Sequence, residues 1–313
     1  MSRPGLATVE LFKTLKADSD RFLKIDEATL RRIQKILLGM AEDIILYCKA
    51  EKIDHFLCGG SALGAVRNEG FIPWDDDMDI AIVSKDFERF ISGFSLKYKE
   101  KYLVQSWNDE DYGMTIGRVR LRNSICRSRE DMDAKECGFY VDLFKVENTF
   151  DSFLLRNLHG VLCMGTGFLL SCRNFYKNRE LMRELETDNP QIRKVFEAKI
   201  FLGRLISLLS VKQWAILTAK CYGLCKNDDS RYVSIPSGRK HYFKEMYERK
   251  SVCKTKKQRF EDHLWNIPSD HDAYLKTLYG DYMQIPQEDQ REKHLILELV
   301  FPEDFQKQMS ENR

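Results

Sequence analysis

The spacing of hydrophobic and polar residues predicts helices that alternate with short strands over the first half of the chain. Apolar residues recur with a helical period over about 26–52 and again from Lys85 to about Lys99, which predicts two amphipathic helices. Short apolar or alternating runs predict strands near 55–58, 77–83, 102–106, 114–122 and 139–146. This half of the chain is therefore expected to mix helices with strands.

The pattern changes between residues 153 and 225, where long stretches rich in Leu, Phe and Ile carry interspersed Lys and Arg. This composition predicts about three helices. Two apolar stretches, 158–172 and 200–209, are interrupted by glycines, His159 or Arg204 and fall short of the roughly 20 apolar residues that span a membrane. We interpret both as core helices. A monotopic membrane contact is the alternative, suggested by the basic segment that follows.

Composition excludes few functions on its own. With 313 residues and 43% hydrophobic content, the chain is large enough to bury a substantial core. The 50 Lys and Arg nearly balance the 48 Asp and Glu, so the whole chain shows no polyanion-binding signal. The segment 226–260, in contrast, holds eleven Lys or Arg against four acids, a net charge of +7. It is interpreted either as a surface for anionic lipid or polymer or as a solubilising surface. No recognised nucleic-acid module accompanies it.

The cysteines and the N-terminus indicate a cytoplasmic protein. The nine cysteines are odd in number and lack the paired spacing of a zinc site, so free thiols in a reducing compartment are expected. The first 20 residues contain no apolar core of signal-peptide length, and the chain has no Asn-x-Ser/Thr sequon. We therefore expect a cytoplasmic location, with a peripheral position at the inner face of the membrane as the variant of this expectation.

A pair of glycines marks the first candidate for chemistry. The apolar run His55–Cys58 ends at Gly59 and Gly60, which reads as a strand that enters a tight turn. Ser61 is expected to open a helix and to cap it with its hydroxyl. Because glycines let a ligand approach the backbone, free amides and the helix dipole would face an anion there. Phosphate is the expected ligand.

A run of acids follows the turn. In Trp74–Val83 the second half alternates, so that Met78 and its apolar neighbours point to one face and Asp77 and Asp79 point to the other. Two adjacent carboxylates repel each other unless a cation neutralises them. Hard oxygen ligands at positions i and i+2 suit Mg²⁺. Asp142 is a lone acid in an apolar strand, where an unpaired charge would be costly, and we expect it to join the same metal cluster.

Three arginines share one face of the predicted strand 114–122. They are Arg118, Arg120 and Arg122. Like charges this close are tolerated where phosphates bind between them. An exposed edge strand explains them equally well, because charged edges prevent strand pairing between molecules.

Other phosphate, nucleophile and metal motifs fail at single positions. A P-loop needs Lys and Ser or Thr after its second glycine, and the chain has Ala65 and Val66 there. A nucleophile elbow around Ser61 lacks its last glycine. An EF-hand loop from Asp75 has Ile80 where glycine must make the turn. For the acids alone, a solvated acidic turn before an ordinary strand is the remaining alternative.

Together these motifs resemble the nucleotidyltransferase superfamily, whose pattern is a glycine turn, an Asp-x-Asp strand and a third acid on a later strand. More closely, GGSALGAVRNEGFIPWDDDMDIAI over residues 59–82 resembles the signature of the LicD family, bacterial phosphocholine transferases related to the animal fukutin-type ribitol-phosphate transferases. Segments 25–53, 139–146 and 272–283 look like the leading helix, the third-acid strand and the C-terminal signature of that family. The resemblance covers roughly residues 25–295.

The resemblance implies an α/β (α+β) fold, a nucleotidyltransferase-like mixed sheet flanked by helices, with a helical insertion. The expected domain boundaries are an N-terminal extension 1–24, a catalytic core 25–150, a helical insertion 151–230 and a C-terminal region 231–313 that completes the core. The family's reaction would be transfer of phosphocholine or a polyol phosphate from a CDP-linked donor such as CDP-choline. The acceptor would be a hydroxyl of a cell-surface glycan, such as lipopolysaccharide or teichoic acid, or of its lipid-linked precursor.

The resemblance also assigns roles to residues. Asp77, Asp79 and Asp142 would be the catalytic residues and the ligands of Mg²⁺ or Mn²⁺, with Asp142 placed to accept the proton of the acceptor hydroxyl. The residues expected to bind the donor are Gly59, Gly60, Ser61, Arg67, Asp75, Arg118 and Arg120. Within that set Asp75 would reach the metal directly or through water, and Arg67 would either approach the donor diphosphate or fasten the Trp74 loop through the Asp residues. Two rival functions remain, a true nucleotidyltransferase that attaches CMP or AMP to a small molecule or protein, and a catalytically silent scaffold in glycan assembly.

Overall fold

The computed structural model of the chain describes residues 22–110, 112–128, 131, 134–184, 190–288, 291 and 296–304. Most of the predicted N-terminal extension 1–24 lies outside these residues. The elements up to residue 148 are α1 (Glu27–Ala50), β1 (His55–Leu57), α2 (Gly59–Arg67), β2 (Asp79–Val83), α3 (Ser84–Lys97), β3 (Tyr102–Gln105), β4 (Gly117–Leu121), β5 (Ile125–Ser128) and β6 (Tyr140–Asn148). The helices and strands predicted for this half are present. The short strand β5 was not predicted.

Helix α1 forms because its apolar residues recur at helical spacing and its first turn is capped. The Asp26 carboxylate accepts a hydrogen bond from the Thr29 amide at 2.7 Å. Ile33, Leu37 and Ile44 lie on one face and are buried. This face packs against β6 and α3, so the helix covers one side of the central sheet.

The central sheet is mixed, as expected, and its strand order runs β1-β2-β6-β4-β3. Strands β2 and β6 are parallel, whereas the other neighbouring pairs along this path are antiparallel. The parallel pair is buried on both faces, which is why Ile80-Ala81-Ile82 reads as a nearly continuous apolar run. Strand β4 lies between β6 and β3, so the interpretation of its arginines as an exposed edge is wrong.

The second half begins with helices and ends with strands that return to the core. Its elements are α4 (Phe153–Lys177), α5 (Arg179–Glu184), α6 (Pro190–Leu205), α7 (Val211–Tyr222), β7 (Tyr232–Ser234), α8 (His241–Lys244), β8 (Met246–Glu248), α9 (Arg249–Val252), β9 (Thr255–Phe260), β10 (His263–Pro268), α10 (His271–Tyr279) and β11 (Ile296–Val300). Helix α4 packs against α6, α7 and α8.

The described part of the C-terminal region is woven into the core. Strand β7 pairs with β6 and with β8, so both extend the central sheet. The β9–β10 hairpin packs against α2 and β1. Strand β11 pairs antiparallel with β5. A single large apolar cluster accordingly contains residues from α1, the sheet and α10.

Helix α4 corrects the interpretation of 158–172 as part of a core helix. It is long and apolar enough, by length and composition alone, to cross a membrane, although core helices of soluble proteins pass the same test. Only 28% of its most apolar stretch is buried in the protein. Large apolar side chains on its outward face, such as Val161, are exposed. The sequence reading missed this because periodicity shows that a helix has an apolar face, but not what covers that face.

Candidate functional site

The glycine turn between β1 and α2 is approached by three carboxylates. Gly59 has a φ of +52°, a conformation that glycine adopts without strain, and a Cβ placed there would lie 2.6 Å from the Asp79 Oδ2 atom. A Cβ on Gly60 would lie 2.9 Å from the Asp75 Oδ2 atom and 4.0 Å from the Asp77 Oδ1 atom. A side chain at either position would therefore displace a carboxylate, and at Gly59 it would also strain the backbone.

Ser61 does not cap helix α2, so that part of the prediction is wrong. The helix begins two residues earlier, at Gly59, with Cys58 as its N-cap residue. The Ser61 hydroxyl instead accepts a hydrogen bond from the Asp79 amide at 2.9 Å. The Gly59 amide donates to the Tyr274 hydroxyl at 3.0 Å. Ser61 thus anchors the acid strand to the turn, and α10 supplies a partner for the first helical amide.

The loop that carries Asp75 and Asp77 is held by residues far away in sequence. The Gln34 side-chain amide donates to the Asp75 carbonyl oxygen at 2.8 Å. The Arg67 guanidinium donates to the Tyr282 carbonyl oxygen at 3.1 Å and lies 5.7 Å from the centroid of the Trp74 ring. Arg67 therefore contacts the Trp74 ring and the C-terminal segment, and it is close enough to Asp75 for that charge to act on its pKa. This fits the predicted role in fastening the Trp74 loop.

Asp142 and Arg118 form an ion pair in the middle of the sheet. Asp142 stands opposite Asp79 on parallel β2 and opposite Arg118 on antiparallel β4, so these three residues make one row across the strands. The Arg118 Nε and Nη2 atoms donate to the Asp142 carboxylate at 2.6 and 2.9 Å. Burial acts against the Arg118 charge, yet Asp142 together with Tyr140 and Tyr112 raises the pKa of Arg118 well above its ordinary value. The pair fixes the orientation of the Asp142 carboxylate, whose side chain is 15% exposed.

Arg120 is matched by an acid that the sequence reading missed. Its guanidinium donates to the Asp131 carboxylate at 2.6 Å, to the Gln105 side chain at 2.6 Å and to the Gly138 carbonyl oxygen at 3.2 Å. Arg120 and Asp131 are both buried. This network holds the Arg120 side chain within the sheet. Asp131 stood in a charged run without a periodic pattern, so the sequence carried no signal for it.

The described acids do not form the single cluster of three around one cation that the sequence predicted. Within the described residues, no three His, Cys, Asp or Glu side chains are grouped closely enough to hold one metal ion together. The structure brings Asp77 and Asp79 to the same glycine turn, with Asp75 beside them, and pairs Asp142 with Arg118. A pair of carboxylates fits Mg²⁺, which commonly takes one or two and completes its shell with water and phosphate oxygens.

Tyr279 lies near the acids of the site, and Arg239 lies beside Tyr279. Burial raises the pKa of the Tyr279 hydroxyl well above its usual value, and the negative charges of Asp79, Asp75 and Asp77 raise it further. The Arg239 guanidinium lies 5.7 Å from the Tyr279 ring centroid and is exposed. Arg239 is therefore a positive group near the acids. The sequence reading saw it only as one of many charges in the basic segment.

A buried glutamate holds the loop that carries Arg239. The Lys240 amide donates to the Glu245 carboxylate at 2.6 Å, and the Ile235 amide donates to the Glu245 carbonyl oxygen at 3.1 Å. Burial raises the pKa of Glu245 to about 7. The loop position thus depends on a carboxyl group with little solvent contact.

The basic segment 226–260 is not one patch. Arg231 and Lys250 both pair with Glu248, and Arg249 bonds to Asn148 and Ser230. Strand β9, which carries Lys256 and Lys257, contacts α2. Burial lowers the pKa of Lys257, and the charge of Lys49 lowers it further. Helix α8, in contrast, contacts α4. The segment therefore divides its charge between two faces of the protein.

Comparison with known proteins identifies similar sequences. A family model described as "LicD/FKTN/FKRP, nucleotidyltransferase domain" matches residues 52–154. The lipopolysaccharide cholinephosphotransferase LicD of Haemophilus influenzae is 24% identical over 277 residues, which cover 86% of this chain and 97% of that protein. An uncharacterized protein of Rickettsia prowazekii is 32% identical over 107 residues, which cover 34% of this chain and 31% of that protein. One of Rickettsia typhi is 26% identical over 98 residues, 27% of this chain and 32% of that protein.

Proposed function

Because this chain belongs to the LicD family, we propose that it is a transferase that moves a phosphate-linked group from a nucleotide-activated donor to a hydroxyl of a glycan. Phosphocholine is the first group to expect, since the Haemophilus relative is named for its transfer. A polyol phosphate is the alternative. The observation that carries the proposal is the approach of Asp75, Asp77 and Asp79 to the Gly59–Gly60 turn.

We propose CDP-linked compounds as donors. A diphosphate next to three carboxylates requires a counter-ion, and Asp77 and Asp79 have the hard oxygens that would hold Mg²⁺ or Mn²⁺. When bound, this ion would neutralise the diphosphate and the departing CMP. Arg239, beside Tyr279 near the same acids, would add positive charge. Gly59 and Gly60 would let the phosphates approach the backbone closely.

Asp142 is proposed as the group that receives the proton of the acceptor hydroxyl. Its carboxylate is one strand away from Asp79 and is oriented by two hydrogen bonds from Arg118. A positioned carboxylate within hydrogen-bond reach of a hydroxyl can act as a general base. Arg118 would keep that carboxylate in one orientation while the hydroxyl attacks the phosphorus.

The proposed acceptor is a cell-surface glycan or its lipid-linked precursor, and the proposed location is the cytoplasm, where nucleotide-linked donors are made. All nine cysteines are free thiols, which fits a reducing compartment. The name of the Haemophilus relative favours a lipopolysaccharide over a teichoic acid as the acceptor class. Nucleic acid is not among the proposed partners.

The donor experiment tests the function directly. The purified protein would be incubated with CDP-choline, CDP-ribitol, CDP-glycerol or CTP, with Mg²⁺ and a glycan acceptor, and the released CMP and pyrophosphate would be measured. We expect CMP from one CDP-linked donor and no pyrophosphate from CTP. Pyrophosphate release with nucleotide on the acceptor would identify a true nucleotidyltransferase. No turnover of any donor would favour the silent scaffold.

Metal removal tests the cation separately. EDTA should eliminate CMP release and added Mg²⁺ or Mn²⁺ should restore it, whereas Ca²⁺ should support less turnover because its coordination is longer and looser. Full activity after thorough EDTA treatment would contradict the metal assignment.

A further inference from the structure

Helix α4 presents an apolar face that the described part of the chain leaves uncovered. Phe153 begins it with 75% of its surface exposed, and Val161 in the third turn is 65% exposed. The large apolar residues that follow Phe153 on this exposed surface are Leu154, Leu155, Leu158, Val161, Leu162 and Met164. Contiguous apolar surface of this kind marks an interaction site.

The opposite face of these turns carries His159 and packs against the rest of the protein. His159 is buried, its Nε2 atom lies 2.8 Å from the Cys221 carbonyl oxygen, and its Nδ1 atom lies 3.2 Å from the Tyr242 hydroxyl. Gly160 and Cys163 are also buried. The helix is therefore attached through His159 and displays its leucines, the reverse of a helix whose apolar side faces a protein core.

The basic segment continues this apolar face. A Cβ on Gly160 would collide with the Phe243 ring, so Phe243 packs directly on α4, and 43% of its surface is exposed. Next to it, the Lys244 side chain is exposed and the Lys240 side chain is partly exposed. The apolar surface thus has an aromatic residue and cations at its border. This is the composition of surfaces that enter the headgroup region of anionic lipids.

We propose that the outward face of α4, together with Phe243, docks on an anionic phospholipid bilayer, with the helix lying in the plane of the interface. A span across the bilayer is not compatible with α4 as it stands, because its inner face bonds to α7 and to Tyr242. A polar protein partner would leave the leucines in contact with polar groups, whereas acyl chains match them. The cations at Lys240 and Lys244 match the phosphate headgroups.

The docked orientation has a consequence for the site. Arg239 lies four residues before Phe243 in the same segment and contacts the Tyr279 ring beside the carboxylates. A surface that holds Phe243 at the interface therefore holds the segment that borders the acids close to the lipid headgroups. An acceptor carried on a lipid would meet the site without leaving the membrane surface. The docking itself does not depend on which group is transferred.

Vesicle sedimentation tests the surface. Wild-type protein would be mixed with vesicles of phosphatidylcholine alone or with added phosphatidylglycerol, and compared with the triple variant Leu154→Gln, Leu158→Gln, Val161→Gln. We expect binding to the phosphatidylglycerol vesicles and a loss of about tenfold or more in the partition coefficient of the triple variant. The matched control is Leu96→Gln, which changes a leucine that is 77% exposed on α3 and should leave binding unchanged.

A second variant keeps the test independent of stability. Leu158→Trp should show quenching by brominated lipid in these vesicles, above the background of the native tryptophans, and Leu96→Trp should not. Equal binding by wild type and the triple variant would overturn the proposal, as would wild-type protein that ignores vesicles but forms dimers that the triple variant cannot form. Hydrolysis of the nucleotide donor without lipid should be the same in all variants, so a failure of the proposed reaction is read separately.

Discussion

The sheet core and the helical region α4–α7 differ in where they place polar and apolar side chains. In the core, most apolar residues of β2 and β6 are buried, and the carboxylates of Asp75, Asp77 and Asp79 gather at one partly buried turn. In the helical region, polar side chains such as His159 are hidden and leucines are displayed. The core gathers carboxylates at one turn, whereas the helical region displays apolar side chains on its surface.

Two buried cations show the same difference. Arg118 in the sheet is buried next to the Asp142 carboxylate. Lys199 on α6 is also buried, but its ammonium group donates to the neutral Ser171 hydroxyl at 3.2 Å and lies 4.7 Å from the Phe175 ring centroid. Burial lowers the pKa of Lys199 to about 8. The Asp142 carboxylate favours the charged form of Arg118, whereas burial disfavours the charged form of Lys199.

The largest effect is expected at the acids of the core. Asp77→Asn, Asp79→Asn and Asp142→Asn should each lower donor turnover by a factor on the order of 1,000, because each removes a charge that serves the donor or the acceptor hydroxyl. The volume is nearly unchanged, so the unfolding temperature of Asp77→Asn and Asp79→Asn should remain close to that of the wild type. Asp142→Asn also breaks the buried pair with Arg118 and should lower it. Steady-state CMP release and thermal unfolding measure the two effects.

The neighbouring acid supplies the control for this prediction. Asp76 lies beside Cys126, Phe139 and Tyr140 rather than at the glycine turn. Asp76→Asn should therefore retain most of the activity. If Asp76→Asn loses as much activity as Asp79→Asn, Asp76 also serves the site, and its assignment away from the glycine turn is wrong.

A large effect on stability is expected at Asp131. Its carboxylate faces Arg120 at 2.6 Å and Arg118 at 3.7 Å, and all three side chains are buried. Asp131→Asn leaves excess positive charge in the sheet and should lower the free energy of unfolding by about 3 kcal/mol or more. Glu110→Gln, which breaks an exposed pair with Lys212, should change it far less. Equal losses in free energy of unfolding for the two variants would contradict a special contribution of the buried Asp131 network to stability.

A smaller effect on activity is expected at the turn. Gly59→Ala forces a side chain into a backbone with a φ of +52° and against the Asp79 carboxylate. Displacement of that carboxylate should lower turnover by about 10- to 100-fold. Gly39→Ala, where an added Cβ meets no other residue within 4 Å, should leave turnover unchanged. Wild-type turnover in Gly59→Ala would show that a Cβ at this position does not displace the Asp79 carboxylate.

The smallest effect is expected at Lys199. Its folded pKa of about 8 lies below the ordinary value of 10.5, so between these pH values the unfolded chain binds more protons and stability rises with pH. Lys199→Met should remove this rise and should raise stability at neutral pH by about 1–2 kcal/mol. The exposed Lys194→Met is the control. Urea unfolding at pH 7, 8, 9 and 10 measures the difference, and identical pH profiles for wild type and Lys199→Met would contradict it.

Local pattern predicted what local forces determine. The strands and helices of the first half followed from periodicity, and the glycine turn and the acids followed from residue types at short spacing. Asp131 was missed because its partners Arg118 and Arg120 become neighbours only when β4 and the later loop meet in the fold. Ser61 was predicted to cap a helix, because the sequence does not show that the Asp79 amide lies beside its hydroxyl.

The family resemblance predicted one feature that the residue pattern did not, and it failed to predict another. It marked the segment that contains Tyr274, and the structure shows that its hydroxyl meets the Gly59 amide. It gave no orientation for α4, because a helix with an apolar face looks the same in sequence whether a core or another surface covers that face. The roles of the individual site residues remain predictions for the experiments above.

The hydrogen bond between Gly59 and Tyr274 also sets an order of events during synthesis. The two residues are 215 positions apart, and so are Arg67 and the Tyr282 carbonyl oxygen that it bonds. A ribosome has therefore made most of the chain before the glycine turn acquires these partners. The nascent protein holds its acids early but completes their surroundings only near the end of translation, so products that stop before Tyr274 should be unable to use the donor.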